Sequence, residues 1–382
     1  MNSHVHHLPS ESVDTIKLAQ DLVRLDTTNP PGSEVHVVAL LADRLHKAGI
    51  AVEAFEFAPG RTSMIARLNA GSSGPALCLS GHLDTVPLGK EPWTGDPLGG
   101  EIIDGRMFGR GTTDMKCGVA AMVTAFERLH RSGSKAKIVL ALSSSEETGC
   151  QGAAQMAPRL GAIGAIVIAE PTSGRLAVGH KGVLWLKLIT SGKAAHASMP
   201  HLGRNSVDLM ADAIMALRGL DFGVDNHPLL GCPTYNVGTV SGGSAVNIVP
   251  DTCECLLDVR LVPGLGAESA KTLVERCIGS GIEIETLLAL DAVASDPEGA
   301  WLRKVSDIAS EIHPSDQRPM SVPYFTDASV LGPALGFPPV VILGPGDPAL
   351  AHQVNESCSV PAIWSASLLY ERLGRDWAEN KY

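Results

Sequence analysis

At 382 residues the chain is long enough for two domains, or for one large domain carrying an insertion. Its 45% hydrophobic and 19% charged residues describe a globular protein. A surplus of 41 acidic over 30 basic residues, net charge −11 with no basic block, argues against nucleic acid or an anionic membrane surface as partner.

No apolar run approaches the roughly 18 residues of a membrane span. The opening MNSHVHHLPSES has neither the basic nor the apolar region of a secretory signal. His4, His6 and His7 form a loose terminal tract to which we assign no role. The 8 cysteines are scattered without a CxxC pair, which predicts reduced thiols in a cytoplasmic protein. Cys253 and Cys255 are expected to share one face of a strand.

Ser12 is placed to cap a first helix bearing Val13, Ile16, Ala19, Leu22 and Val23, which stops before Asn29-Pro30-Pro31-Gly32. A second helix near 34–48 ends at Gly49. Strands are predicted over 51–57, 63–68 and 76–80, followed by a Gly/Pro-rich loop through Gly105. A helix over 115–131 and a strand over 138–142 come next, the strand running into Ser143-Ser144-Ser145-Glu146-Glu147. A further strand over 165–169 ends at Glu170-Pro171. Alternating strands and helices predict an α/β layered fold with a mostly parallel central sheet, whose sites lie at the carboxyl ends of strands. Around Lys181 the order changes to β-α-β-β-α-β, the ferredoxin-like order, complete in itself and therefore read as an inserted α+β domain. The expected division is 1–180 and 294–382 for the layered domain and 181–293 for the insertion.

The stretch LSGHLDTVP, Leu79–Pro87, follows a buried strand and puts His82 and Asp84 on one face of extended chain. An imidazole there can bind a metal while a nearby carboxylate holds its other ring nitrogen. Alone, such a histidine is more often an ordinary hydrogen-bonded residue. Asp114, Glu147, Glu170 and His352 supply further candidate ligands in segments of the same kind. Two imidazoles and three carboxylates exceed what one tetrahedral zinc needs. If Asp114 bridges, they divide between two metals about 3.5–4 Å apart, and Glu146 is then the general base for a shared water. A Glu-Glu pair taken singly is usually a solvated turn; here a buried strand leads into it.

The segments LSGHLDTVP, GRGTTDMKCG, SSSEETGCQGA, AEPT, SGKAAHASMPHLGRN, VSGGSAVNIVP, LLDVRLVPG and VILGPGDPALAHQVNE resemble, in order, the motif series of one family. It is that of acetylornithine deacetylase, succinyl-diaminopimelate desuccinylase, aminoacylase and carboxypeptidase G, dinuclear zinc amide hydrolases. The resemblance implies that His82 and Glu170 hold one zinc and Glu147 and His352 the other, with Asp114 bridging, Glu146 as base and Asp84 orienting His82. It implies a cis Asp114–Met115 peptide. It also implies two zinc ions per subunit, replaceable by cobalt or manganese. The insertion resembles the family's lid, which also forms the homodimer. From it His196 would reach the partner subunit's site and stabilise the oxyanion; the alternative is a plain polar loop residue.

Arg260 suits a bidentate grip on a substrate carboxylate, or else pairs with Asp258 or Glu254. Asn247 offers an amide donor, Gly344 a place where backbone approaches a ligand, and Lys181 marks only the way into the insertion. Two departures stand out: Cys117 where the family usually has glycine, and Ala197 where a serine commonly follows the histidine. The expected activity is hydrolysis of the amide of an N-acyl-amino acid in amino-acid metabolism, nearest in pattern to acetylornithine deacetylase. Glu170 at the ligand position that varies in the family favours deacylases and carboxypeptidases over dipeptidases. The alternatives are a desuccinylase or a carboxypeptidase-like peptidase acting on a short peptide, and a non-catalytic metal-binding relative.

Overall fold

Four neighbouring strands set the frame: Ile138–Ser143, Ala76–His82, Ile163–Pro171 and Val340–Gly344, in that spatial order and all parallel. This is seen in a computed structural model that describes residues 9–313 and 317–379. The tract with His4, His6 and His7 lies outside the described residues. Every residue of Ala76–His82, Ile138–Ser143 and Val340–Gly344 is buried, although successive side chains point to opposite faces, so the sheet is covered on both sides there. That is why these strands read as unbroken apolar runs. Among the described residues the sheet has 9 strands, and it continues antiparallel through Arg61–Leu68 and Val52–Ala58 on one side and through Ala177–His180 on the other.

Helix Cys117–Arg131 packs on Val360–Glu379 and on Ser12–Val23. Gly118 lets its first turn press on the strand carrying Glu170: a Cβ there would stand 2.6 Å from the Ala169 carbonyl oxygen. Two local expectations change. Ser12 does not cap with its oxygen; its hydroxyl donates to the Pro9 carbonyl at 2.7 Å, and the N-cap position is Glu11. The Gly/Pro-rich loop contains a hairpin, Glu101–Ile103 with Arg106–Phe108, turning at Gly105 and pairing onward with Ser357–Ser359. Strands of three residues are too short for a periodic signal.

The chain divides into two compact units; the smaller comprises His180–Val293 and Ser321–Phe325. Within it Ser321 Oγ donates to the Leu229 carbonyl at 2.6 Å. The order is strand Gly182–Ser191, helix Ser206–Leu217, strands Thr234–Gly242 and Thr252–Leu261, helix Ala267–Ile278 and strand Ile282–Leu290. The sheet is antiparallel with the first and third strands central and Thr234–Gly242 at an edge, the ferredoxin-like arrangement. Asn205 caps helix Ser206–Leu217, its side chain accepting from Val207 N at 2.9 Å and Asp208 N at 3.3 Å. Leu184, Leu186, Leu188, Met210, Cys253 and Cys255 share its core.

Candidate metal centre

Because the four central strands are parallel, their carboxyl ends meet along one edge. His82 closes Ala76–His82 and lies opposite Ser143 in the register with the next strand. Just beyond, Ser145 takes a left-handed backbone (φ 65) and turns the chain into Glu146 and Glu147. Glu170 stands at the end of Ile163–Pro171. The loop after Val340–Gly344 brings in His352, itself left-handed (φ 63). Asp114 enters between them on the turn Thr112–Lys116, and its peptide to Met115 is cis.

These side chains converge. His82 Nε2 lies 2.9 Å from Asp114 Oδ1 and 3.5 Å from Glu170 Oε1. His352 Nε2 lies 3.2 Å from Asp114 Oδ2 and 3.3 Å from Glu147 Oε2. Two triads result, His82–Asp114–Glu170 and Asp114–Glu147–His352, with ligand atoms in each within 4.8 Å of one another. They share Asp114, which turns one oxygen to each.

The charges show what the cluster can hold. Burial pushes Glu170 and Glu147 up from the ordinary carboxyl range, and the Asp114 charge adds to both. Burial also opposes the Asp114 charge, yet its hydrogen bonds to His352 and His82 hold it well below its usual value. Those to Asp114 and Glu147 raise His352 to about 10. Burial works against a charge on His82, but Glu170 and Asp114 outweigh it and raise it. Glu147 Oε1 is buried without a hydrogen-bond partner. Crowded carboxylates, two imidazoles and an orphaned oxygen fit a pair of divalent cations.

Glu146 belongs to neither triad. Burial raises its carboxyl well above the usual range, and the charges of Glu170, Glu147 and Asp327 add to that. Its backbone is fixed: Gly149 N and Cys150 N donate to its carbonyl at 2.9 and 3.1 Å. Asp84 does more here than its sequence position suggests. His82 Nδ1 meets the Asp84 main-chain carbonyl at 3.0 Å, while the carboxylate is 3.6 Å away. With Nδ1 donating, the Nε2 lone pair is free to face the cluster. The carboxylate accepts from Glu146 N at 3.0 Å, Glu147 N at 3.3 Å and Asn29 Nδ2 at 2.8 Å. Arg61 Nη1 in turn donates to Asn29 Oδ1 at 3.1 Å, and Arg61 pairs with the buried Glu34. Sequence reasoning passed over Asn29, Arg61 and Asp327. Asn29 sits in a segment that reads only as a helix stop, and the other two have no motif around them.

The model of peptidase family M20/M25/M40 matches residues 78–376. The chain belongs to that family. A probable succinyl-diaminopimelate desuccinylase of Staphylococcus epidermidis is 31% identical over 90% of this chain and 92% of its own length. The M20 family metallo-carboxypeptidase Sso-CP2 of Sulfolobus solfataricus superposes with TM-score 0.79 at 18% identity, covering 96% of this chain and all of the other. A dinuclear metal-binding M20 peptidase of Bacillus subtilis does so with TM-score 0.69 at 18% identity, over 97% of this chain and 99% of its own. This M20 protein is a metal-dependent hydrolase of linear amide or peptide bonds.

In the smaller unit of the M20 chain, His196 is exposed on a loop that pairs with the segment of Asn247: Ala197 N donates to the Asn247 carbonyl at 3.0 Å and Val249 N to that of Ala195 at 2.9 Å. His196 Nδ1 lies 2.7 Å from Ser198 Oγ and 3.2 Å from Ser198 N, so its contacts within the loop are all made through Nδ1. Arg260 engages Asp258 through both Nε and Nη2 at 2.9 Å. Lys181 Nζ donates to the Cys232 carbonyl at 2.7 Å.

Gly344 is a packing residue whatever else it does: a Cβ there would stand 2.1 Å from the Ala169 oxygen and 2.4 Å from that of Glu170. Both neighbours are sheet backbone and cannot step aside. Gly344→Ala is therefore expected to lower stability by about 1–3 kcal/mol, the usual range for overpacking. Denaturant unfolding with an unchanged midpoint would remove this reading.

Proposed function

We propose that the chain hydrolyses the amide bond of an N-acyl-amino acid, and that Asp114, shared between the two triads, is the observation that carries the reading. His82 and Glu170 would hold one divalent ion and Glu147 and His352 the other, with Asp114 between. Zinc is our first choice and cobalt or manganese would substitute, since all three accept mixed imidazole and carboxylate ligands. Such a pair, when bound, supplies Lewis acidity toward a carbonyl and makes water a better acid. Glu146 takes the proton of the attacking water and returns it to the departing amine nitrogen, a role that its raised proton affinity suits. Asp84 and Asn29 hold the turn that aims it.

Arg260 and Asn247 would bind the substrate carboxylate, Arg260 leaving Asp258 or gripping through its remaining donors; Gly344 would let backbone approach the ligand. His196 would donate from Nε2 to the oxyanion in the partner's site of a homodimer. Thr234–Gly242 is a largely exposed sheet edge, with Val240 half exposed, and two-fold pairing along it would bury an edge that otherwise invites aggregation. We expect the enzyme in the cytoplasm, where thiols stay reduced, because its 8 cysteines are scattered and free.

The relatives named desuccinylase favour a succinyl over an acetyl group. The desuccinylase reading therefore moves ahead of the acetylornithine deacetylase-like one. A panel of N-succinyl-diaminopimelate, N-acetylornithine, other N-acyl-amino acids and dipeptides tests this. We expect fastest turnover on a succinyl substrate, loss of activity with a chelator, and two metal ions per chain by elemental analysis. Metal bound with no turnover on any member would replace the enzyme by a binding protein. One tightly held ion per chain would remove Asp114 from its shared position.

A further inference from the structure

Glu356 and Arg110 stand behind the shared ligand and carry out no step assigned so far. Both are buried at 1% exposure. Glu356 Oε1 accepts from two successive backbone N–H groups, Thr113 at 2.7 Å and Asp114 at 3.1 Å. Its other oxygen accepts from Arg110 Nη1 at 2.6 Å. Arg110 then donates to the carbonyls of Gln353 at 3.2 Å and Pro87 at 3.1 Å, and its guanidinium lies over the Trp93 ring. The pair thus joins three loops: the one after His82 and Asp84, the one carrying Asp114, and the one carrying His352. By accepting both N–H groups Glu356 fixes the direction of the Asp114 peptide, and with it the point from which the Asp114 carboxylate reaches the two histidines.

We propose that Glu356 is a positioning residue that clamps the Thr113–Asp114 backbone so that Asp114 turns one oxygen to His82 and the other to His352, with Arg110 neutralising the buried Glu356 charge. The proposal rests on the two-ion reading above. A carboxylate with only a packing role would be replaceable by an apolar side chain of similar size without effect on the ligands. A clamp would not, because two N–H groups beside Asp114 would lose their acceptor.

Two double variants separate these cases, since both remove the buried charge pair and only one keeps an acceptor: Arg110→Met with Glu356→Gln, and Arg110→Met with Glu356→Met. Co(II) is titrated into the metal-free full-length chain against a competing chelator, with folding followed by circular dichroism. The Gln variant should bind both ions within about threefold of the wild type, and the Met variant should bind at least one of them about 10–100-fold more weakly, the range for loss of an outer hydrogen bond at a metal site. The visible Co(II) absorption of the Met variant should also change. Equal affinities and spectra in the two variants would overturn the clamp. If the Met variant does not fold, Arg110→Met with Glu356→Asn takes its place, because the shorter side chain stays polar but draws its oxygen back by one carbon–carbon bond from the two N–H groups; wild-type affinity and spectrum there overturn the clamp as well. Wild-type protein binding a single Co(II) would refute the two-ion reading, while the ratio between the double variants would still decide the clamp.

Discussion

Glu146→Gln is expected to keep its full metal content and to lose about 10²–10⁴-fold in kcat, the usual contribution of a general base. The amide has the shape of the carboxylate and the turn that holds it is made by backbone: Asp84 accepts from Glu146 N, and Glu146 O accepts from Gly149 and Cys150. The substitution therefore removes one function, the ability to hold a proton, and leaves the triads untouched, since Glu146 belongs to neither. Glu147→Gln should behave in the opposite way, because Glu147 Oε2 lies 3.3 Å from His352 Nε2 and its other oxygen is orphaned. That variant should lose metal first and activity as a consequence. Metal content and turnover measured on the same samples decide it. Parallel loss of both in Glu146→Gln would mean that the two neighbours have exchanged roles.

His196→Ala should lower kcat by about 10²–10³-fold, the cost of one oxyanion donor, with metal content and KM little changed. A contact made only in the transition state has this signature, whereas a loop that merely shaped the site would move KM. The stronger test uses two inactive proteins. After subunit exchange between His196→Ala and Glu146→Gln, each heterodimer has one site with an intact Glu146 from one chain and an intact His196 from the other. Half the dimers then carry one working site of two, so about a quarter of wild-type activity should return. Exchange confirmed by mass without recovery would put His196 in its own chain's site or outside catalysis.

Much of the candidate site is legible in the sequence because of how parallel sheets are built. A strand buried on both faces reads as an unbroken apolar run, and the residue that ends it stands at the edge where ligands bind. His82, Glu146, Glu147 and Glu170 are all at such ends, so an apolar run followed by a histidine or a carboxylate was enough to nominate them. The β-α-β-β-α-β order of the smaller unit was legible for a related reason: its strands alternate buried and exposed residues, and its helices carry one apolar face.

What the sequence could not contain is which atoms meet. His82 Nδ1 meets the Asp84 main-chain carbonyl, while the Asp84 carboxylate accepts from the Glu146–Glu147 turn, a division that depends on the angle at which the loop leaves the strand. Arg260 reaches Asp258 two residues away, which no motif distinguishes from a grip on Glu254. Asn29 meets Asp84 across 55 positions, and Glu356 meets Thr113 across 243. Pairings at that distance leave no period and no spacing, because they arise from the closing of loops over a formed sheet. The sequence by itself determined the long buried strands and the candidate chemistry at their ends; only the tertiary structure decided the short strands, the order within the sheet and which groups each side chain meets, because those are set by backbone directions and hydrogen bonds between segments far apart in the chain.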